Sequence, residues 1–135
     1  MRDKTTNLAI ILSVLLLGSC THTTAPSIDN TGGAFRGTLI MYDSTGSKLV
    51  EGRIFLSRTD STDIAGSWSL NEGRQGGRLT GWITDSTISV NLNPDLVDAN
   101  TYLIGTYRGA TIEGRWFFSG IAGPIDHGTF VVASD

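Results

Sequence analysis

Leu103-Ile104-Gly105-Thr106-Tyr107-Arg108-Gly109-Ala110-Thr111-Ile112-Glu113-Gly114-Arg115-Trp116 states one short pattern twice, once on each side of a turn. Leu103-x-Gly105-x-Tyr107 precedes Gly109-Ala110, and Ile112-x-Gly114-x-Trp116 follows it. A period of two over five to seven residues is that of a strand with one buried face. Gly105 and Gly114 are equidistant from Gly109-Ala110, and glycine in the first place of a two-residue loop is the preference of a type II′ hairpin. Folding there sets glycine opposite glycine and apolar face beside apolar face. A slip of one residue would turn every side chain to the wrong side.

The same pattern runs through the chain from Ala34 onward. It recurs at Phe35-x-Gly37-x-Leu39, Val50-x-Gly52-x-Ile54, Ile64-x-Gly66-x-Trp68 and Leu79-x-Gly81-x-Ile83. Ile88-x-Val90-x-Leu92 has valine in the glycine slot, and Asp126-x-Gly128-x-Phe130 begins on a polar residue. Eight strands are therefore predicted. Gly81 and Val90 are symmetric about Asp85-Ser86, and Gly37 and Gly52 about Ser44-Thr45 in the turn signal Asp43-Ser44-Thr45-Gly46. Between strands, Asn93-Pro94-Asp95 could cap a single helical turn. Successive hairpins of matching register favour an antiparallel meander.

Eight meandering strands with one apolar face close naturally into an up-and-down barrel in which the first strand pairs the eighth, leaving no exposed edge. Inward glycines suit strands that must coil tightly. A two-sheet sandwich of the same strands is the alternative.

Glycine parity assigns the interior to Phe35, Leu39, Met41, Val50, Ile54, Leu56, Ile64, Trp68, Leu70, Leu79, Ile83, Ile88, Val90, Leu92, Leu103, Tyr107, Ile112, Trp116, Phe118, Phe130 and Val132. Lys48 and Asp126 share that parity at strand ends. With the first strand running upward, the upper loops are Ser44–Ser47, Asn71–Gly77, Asn93–Asn100 and Ser119–Ile125, longer on average than the lower ones. A site for an adaptable partner or a small apolar ligand is expected at that end, where Trp68, Trp116, Met41 and Phe118 point inward beneath a rim of Lys48 and Asp126. Outward positions are mostly Thr, Ser, Arg and Glu. Against them Ile40, Phe55, Ile104, Phe117 and Val131 are apolar, on five strands consecutive around a closed barrel, and form a candidate interface.

Gly66-Ser67-Trp68 and Gly114-Arg115-Trp116 resemble the Gly-x-Trp element of the calycin-type barrels, the lipocalin and avidin group. The resemblance covers Ala34–Asp135 in outline and implies an eight-stranded barrel. Lipocalins carry that element in the first strand, which here reads Gly37-Thr38-Leu39. The implied architecture does not bring a ligand with it.

The N-terminus is of another kind. Arg2 and Lys4 precede an apolar run, Leu8–Leu17, interrupted only by Ser13 and followed by Gly18-Ser19-Cys20. This reads as a secretory signal peptide, too short to span a bilayer stably. Leu17-Gly18-Ser19-Cys20 resembles a bacterial lipobox, which implies cleavage of residues 1–19 and lipid on Cys20. In lipoproteins of the proteobacterial type, Thr21 at the next position implies sorting to the outer membrane. Residues 20–33, polar and Thr-rich, read as the lipidated Cys and a flexible tether, and residues 34–135 as the barrel domain.

Cys20 is the only cysteine, so the domain has no disulfide available to it. Without residues 1–19 the chain has 116 residues, eight basic and twelve acidic, a formal net charge of −4. The basic residues are scattered singly, which argues against nucleic acid. Asp126 and His127 are neighbours on opposite faces of one strand, a poor geometry for a catalytic dyad. No spacing suits a metal, a phosphate loop or any other cofactor. The sequence thus predicts a lipid-anchored, non-catalytic β-barrel of the cell envelope that binds the membrane through Cys20. It acts on a protein partner or on itself, or else carries a small hydrophobic ligand inside the barrel.

Overall fold

The computed structural model describes Ile28 and residues 33–135; the leader 1–19, Cys20 and His22 lie outside the described residues. Eight antiparallel strands form one closed barrel in sequence order: β1 (Ala34–Asp43), β2 (Lys48–Arg58), β3 (Asp63–Leu70), β4 (Gln75–Thr84), β5 (Thr87–Asn91), β6 (Asn100–Arg108), β7 (Thr111–Gly120) and β8 (Gly123–Ser134). β1 closes the barrel on β8, with Leu39 opposite Val132 and Met41 opposite Phe130. The up-and-down barrel is the architecture, and the sandwich is excluded.

Alternation along each strand fills the interior. The residues assigned inward by parity are all buried except Val50, Trp68, Tyr107 and Phe118, which are partly buried and packed against the others. Such a barrel has no second layer, so its stability rests on apolar area removed from water in a single core.

At mid-height Gly105 stands opposite Gly114. A Cβ on Gly114 would lie 2.1 Å from the Ile104 carbonyl oxygen and 2.4 Å from Gly105 Cα. The missing side chains therefore let neighbouring backbones approach, a different cause from the crowded lumen that parity alone implied.

The hairpins β4–β5 and β6–β7 have the predicted registers, with Gly81 opposite Val90 and Thr84 opposite Thr87. Gly109 has φ of +63°, as the first place of a type II′ turn requires. The first hairpin differs. Gly37 faces Ile54 and Gly52 faces Leu39, two residues away from the register expected about Ser44-Thr45. The cause is local: Asp43 closes a tight loop with Ser47, and the pairing then shifts so that Leu49 is an unpaired extra residue between Lys48 and Val50. Because the offset is even from Val50 onward, those side chains keep their face, but Lys48, on the far side of the bulge, pairs with outward Tyr42 and leaves the inward parity expected of it.

Upper connections are shorter than predicted. β4 begins at Gln75, and β7 and β8 continue pairing to Gly120 and Gly123. Asn71, Glu72 and Gly73 form a left-handed 3-10 turn with φ of 51°, 58° and 87°. The Asn93–Leu96 segment is a reverse turn closed by Leu96 N–H on the Asn93 carbonyl at 3.1 Å, where a helical turn had been expected. At the lower end, Ile28 from the segment read as tether is 2 % exposed and belongs to the core. Its backbone N–H donates to the Tyr107 hydroxyl at 3.1 Å. Tyr107 in turn meets Phe35 edge to face, with centroids 6.0 Å apart.

Candidate functional site

Two indoles shape the upper end, and each stands opposite a glycine. Trp116 on β7 stands opposite Gly128 on β8, and its Nε1–H reaches beneath that glycine to donate to the Tyr42 carbonyl on β1 at 2.7 Å. A Cβ on Gly128 would lie 2.6 Å from Trp116 Nε1. Trp68 on β3 repeats the device: it stands opposite Gly77 on β4, and its Nε1–H donates to the Leu92 carbonyl just beyond β5. Each indole therefore ties three successive strands, and the two ties lie four strands apart. A buried indole N–H needs such an acceptor; at Gly128 a side chain would collide with the ring, whereas a Cβ on Gly77 would make ordinary contact with Trp68 at 3.6 Å.

With both indoles bonded to backbone, the interior they cover is filled. Met41 is 5 % exposed and Phe118 packs on the core from the rim. The space left between Ile54, Leu56, Leu103, Ile112 and Phe130 is about 10 Å³. That is at the lower limit for a single water, and an apolar lining keeps it dry. Lys48 and Asp126 are not drawn toward the indoles. Both are exposed; Lys48 pairs with Glu51, and the Asp126 carboxylate accepts the His127 backbone N–H at 2.8 Å. Of the six residues read as a ligand lining, Met41 and Trp116 are buried, Trp68 and Phe118 are half-buried against the core, and the two charges belong to the surface.

The outward apolar residues divide into smaller groups. Ile40 and Val131 are direct partners across β1 and β8. Phe117 stacks on Tyr102, centroids 5.1 Å apart at 23°, and shares a shallow depression with Ile104. Phe55 stands apart beneath the Arg36 guanidinium, 4.8 Å above its ring. Four of the five are half-buried, and Ile104 is 42 % exposed.

The largest exposed apolar side chains lie elsewhere. Among the described residues, seven large hydrophobic side chains are exposed, and five of them, Leu49, Leu96, Val97, Ile121 and Ile125, are at the upper end. Val97 is 90 % and Ile121 86 % exposed. Parity could not find them, because they sit in connections and a bulge; the signal available was simply aliphatic residues inside segments otherwise rich in turn formers. The loop that carries Leu96 and Val97 is braced. Asn91 Nδ2 donates to Asn100 Oδ1 at 2.8 Å, Asn91 Oδ1 accepts the Asn93 N–H at 2.9 Å, and Asn100 Nδ2 donates to the Leu96 carbonyl at 3.0 Å. Arg78 on β4 holds Asp95 at 2.9 Å.

Comparison of the chain with protein-family models, with curated proteins and with solved structures finds no match in any of the three. The closed eight-stranded antiparallel barrel is consistent with a calycin-like architecture, and the likeness is one of architecture.

Proposed function

We propose that this chain is a non-catalytic interaction module, anchored by lipid on Cys20 to the outer membrane, whose upper end engages a protein partner of the cell envelope. One observation carries the reading: five of the seven exposed large hydrophobic side chains crown the end of the barrel opposite its N-terminal entry. Aliphatic side chains on a braced loop lose little entropy on association, which is how contact surfaces are prepared. The filled interior supports an acting surface over a carried ligand. The anchor rests on the Leu17–Cys20 motif. Cys20 precedes the docked Ile28 by eight residues, a reach of at most about 28 Å, so the lower end stays near the lipid and the crown points away from it.

Site-resolved photo-crosslinking in cells tests the crown. A crosslinker at Val97 or Ile121 should trap a partner that one at Thr87, on the lower half, does not, and the adduct should disappear when Leu96, Ile121 and Ile125 are changed to Ser. Equal adducts at both ends, or adducts indifferent to those changes, would refute the site. In the same cells Cys20→Ser should leave the membrane fraction; retention at the unaltered level without acylation would refute the anchor.

A further inference from the structure

The outer wall carries a second depression, lined by both polar and apolar groups. The turn Asp43–Gly46 stands beside β7 and β8 and encloses with them a cleft of about 660 Å³. One wall holds the Ser44 and Thr45 hydroxyls; the other holds Arg115, Phe117, His127 and Thr129, all outward-facing. Thr129 is the direct partner of Arg115, and His127 of Phe117, so cation, hydroxyl, imidazole and ring form one square of adjacent positions.

Arg115 is the residue that gives the cleft a chemistry. Elsewhere the strand cations are committed: Lys48 to Glu51, Arg53 to Asp135, Arg78 to Asp95 and Arg108 to Glu113. Arg36 lies over Phe55, and Arg58 donates to the Asp60 and Ser61 carbonyls. Among the described residues Arg115 has no carboxylate within ion-pairing distance; it is exposed between Ile104 on β6 and Thr129 on β8, and β6 carries no acidic residue. The carboxylate in the cleft wall, Asp43, is turned onto its own loop, where one oxygen accepts from Thr45 N–H, Thr45 Oγ1 and Ser47 N–H. The ring of Phe117 is covered by Tyr102 on the β6 side, which leaves its β8 side to the cleft.

A guanidinium fork binds a carboxylate through two parallel hydrogen bonds, hydroxyls and imidazole serve neighbouring hydroxyl groups, and an aromatic face packs the C–H side of a ring. We propose that this cleft binds a saccharide bearing a carboxylate, with Arg115 on the carboxylate, Phe117 against the sugar ring, and His127, Ser44 and Thr129 on its hydroxyls. The site is distinct from the upper crown and does not depend on it.

The test uses the full-length chain in detergent, with the Trp116 indole N–H resonance beneath Gly128 as reporter and calorimetry beside it. The probes are a glucuronate-terminated disaccharide, its neutral glucose counterpart, acetate and inorganic phosphate. The acidic sugar should bind saturably. Its affinity should fall at least tenfold in Arg115→Gln and in Phe117→Leu, less in Arg115→Lys, and not at all in Arg74→Gln, which removes an exposed guanidinium at a distance. Unchanged melting curves show that each variant is folded, and Arg115→Lys stands in for Arg115→Gln if the latter unfolds. No saturable binding, binding indifferent to Arg115, or acetate and phosphate binding as tightly as the sugar acid would each overturn the proposal, the last by reducing the cleft to a simple anion contact.

Discussion

A single missing methyl group decides more in this barrel than any one large side chain. Gly114 can be replaced by no other residue without moving Ile104 or Gly105, because the obstructing atoms are backbone and no rotamer relieves them. Gly114→Ala is expected to cost about 3 kcal/mol in urea denaturation, whereas Thr106→Val on the outer face should change stability by less than about 0.5 kcal/mol. The Trp116–Gly128 crossing obeys the same logic with a polar addition. Trp116→Phe keeps much of the packing and removes the N–H that satisfies the Tyr42 carbonyl, for an expected loss of about 1–2 kcal/mol. Trp68→Phe should lose a similar amount through Leu92. Full stability in both variants would show that the indole ties are incidental to the cap.

Between residues and barrel stand the turns, which set register and show how locally it is decided. The Asp43–Ser47 loop is organised by one carboxylate, and its pairing forces Leu49 out as a bulge. The Thr45 hydroxyl, followed by the Ser47 N–H, holds the Asp43 carboxyl below its usual value of 3.8. Because the folded state lowers this pKa, the ionised group adds stability above the usual carboxylate range, and that contribution is lost as acid protonates it in the fold. Asp43→Asn retains an acceptor oxygen but does not titrate. The stability difference between the native chain and Asp43→Asn should therefore be largest near neutrality and shrink as the pH falls through about 4 toward 2. A gap constant across that range would remove Asp43 from the turn's electrostatics.

For the molecule as a whole, the two ends are closed in different ways. The lower end is closed from outside the strands by Ile28, whose burial joins the start of the described chain to the barrel. Ile28→Ser exposes that mouth and should destabilise by about 2 kcal/mol, read by denaturation, with Tyr107 gaining solvent access. Unaltered stability would mean that the segment before β1 does not contribute to the fold. The upper end is closed from within by the two indoles and leaves its apolar groups outside, on connections braced by Asn91, Asn93 and Asn100.

How much of this was legible in the sequence follows from how far apart the interacting residues are. Strand number, inward face, meander order and closure were all readable, because a period of two and turn residues at the symmetry centres are properties of adjacent positions. The pairing of Gly37 with Ile54 was not, since the tight Asp43–Ser47 loop and the bulge at Leu49 shift the register by two while leaving the parity of Val50 and all that follows it unchanged. Nor could parity tell a hollow barrel from a filled one, because interior volume depends on how closely strands approach, and each glycine acts on the strand beside it. The crown of Leu49, Leu96, Val97, Ile121 and Ile125 and the square of Arg115, Phe117, His127 and Thr129 exist only after closure. By itself the sequence determined the barrel, through short-range periodicity; tertiary structure alone decided the filled core, the sealed mouths and the surfaces left exposed, because those depend on residues that meet only when β1 closes on β8.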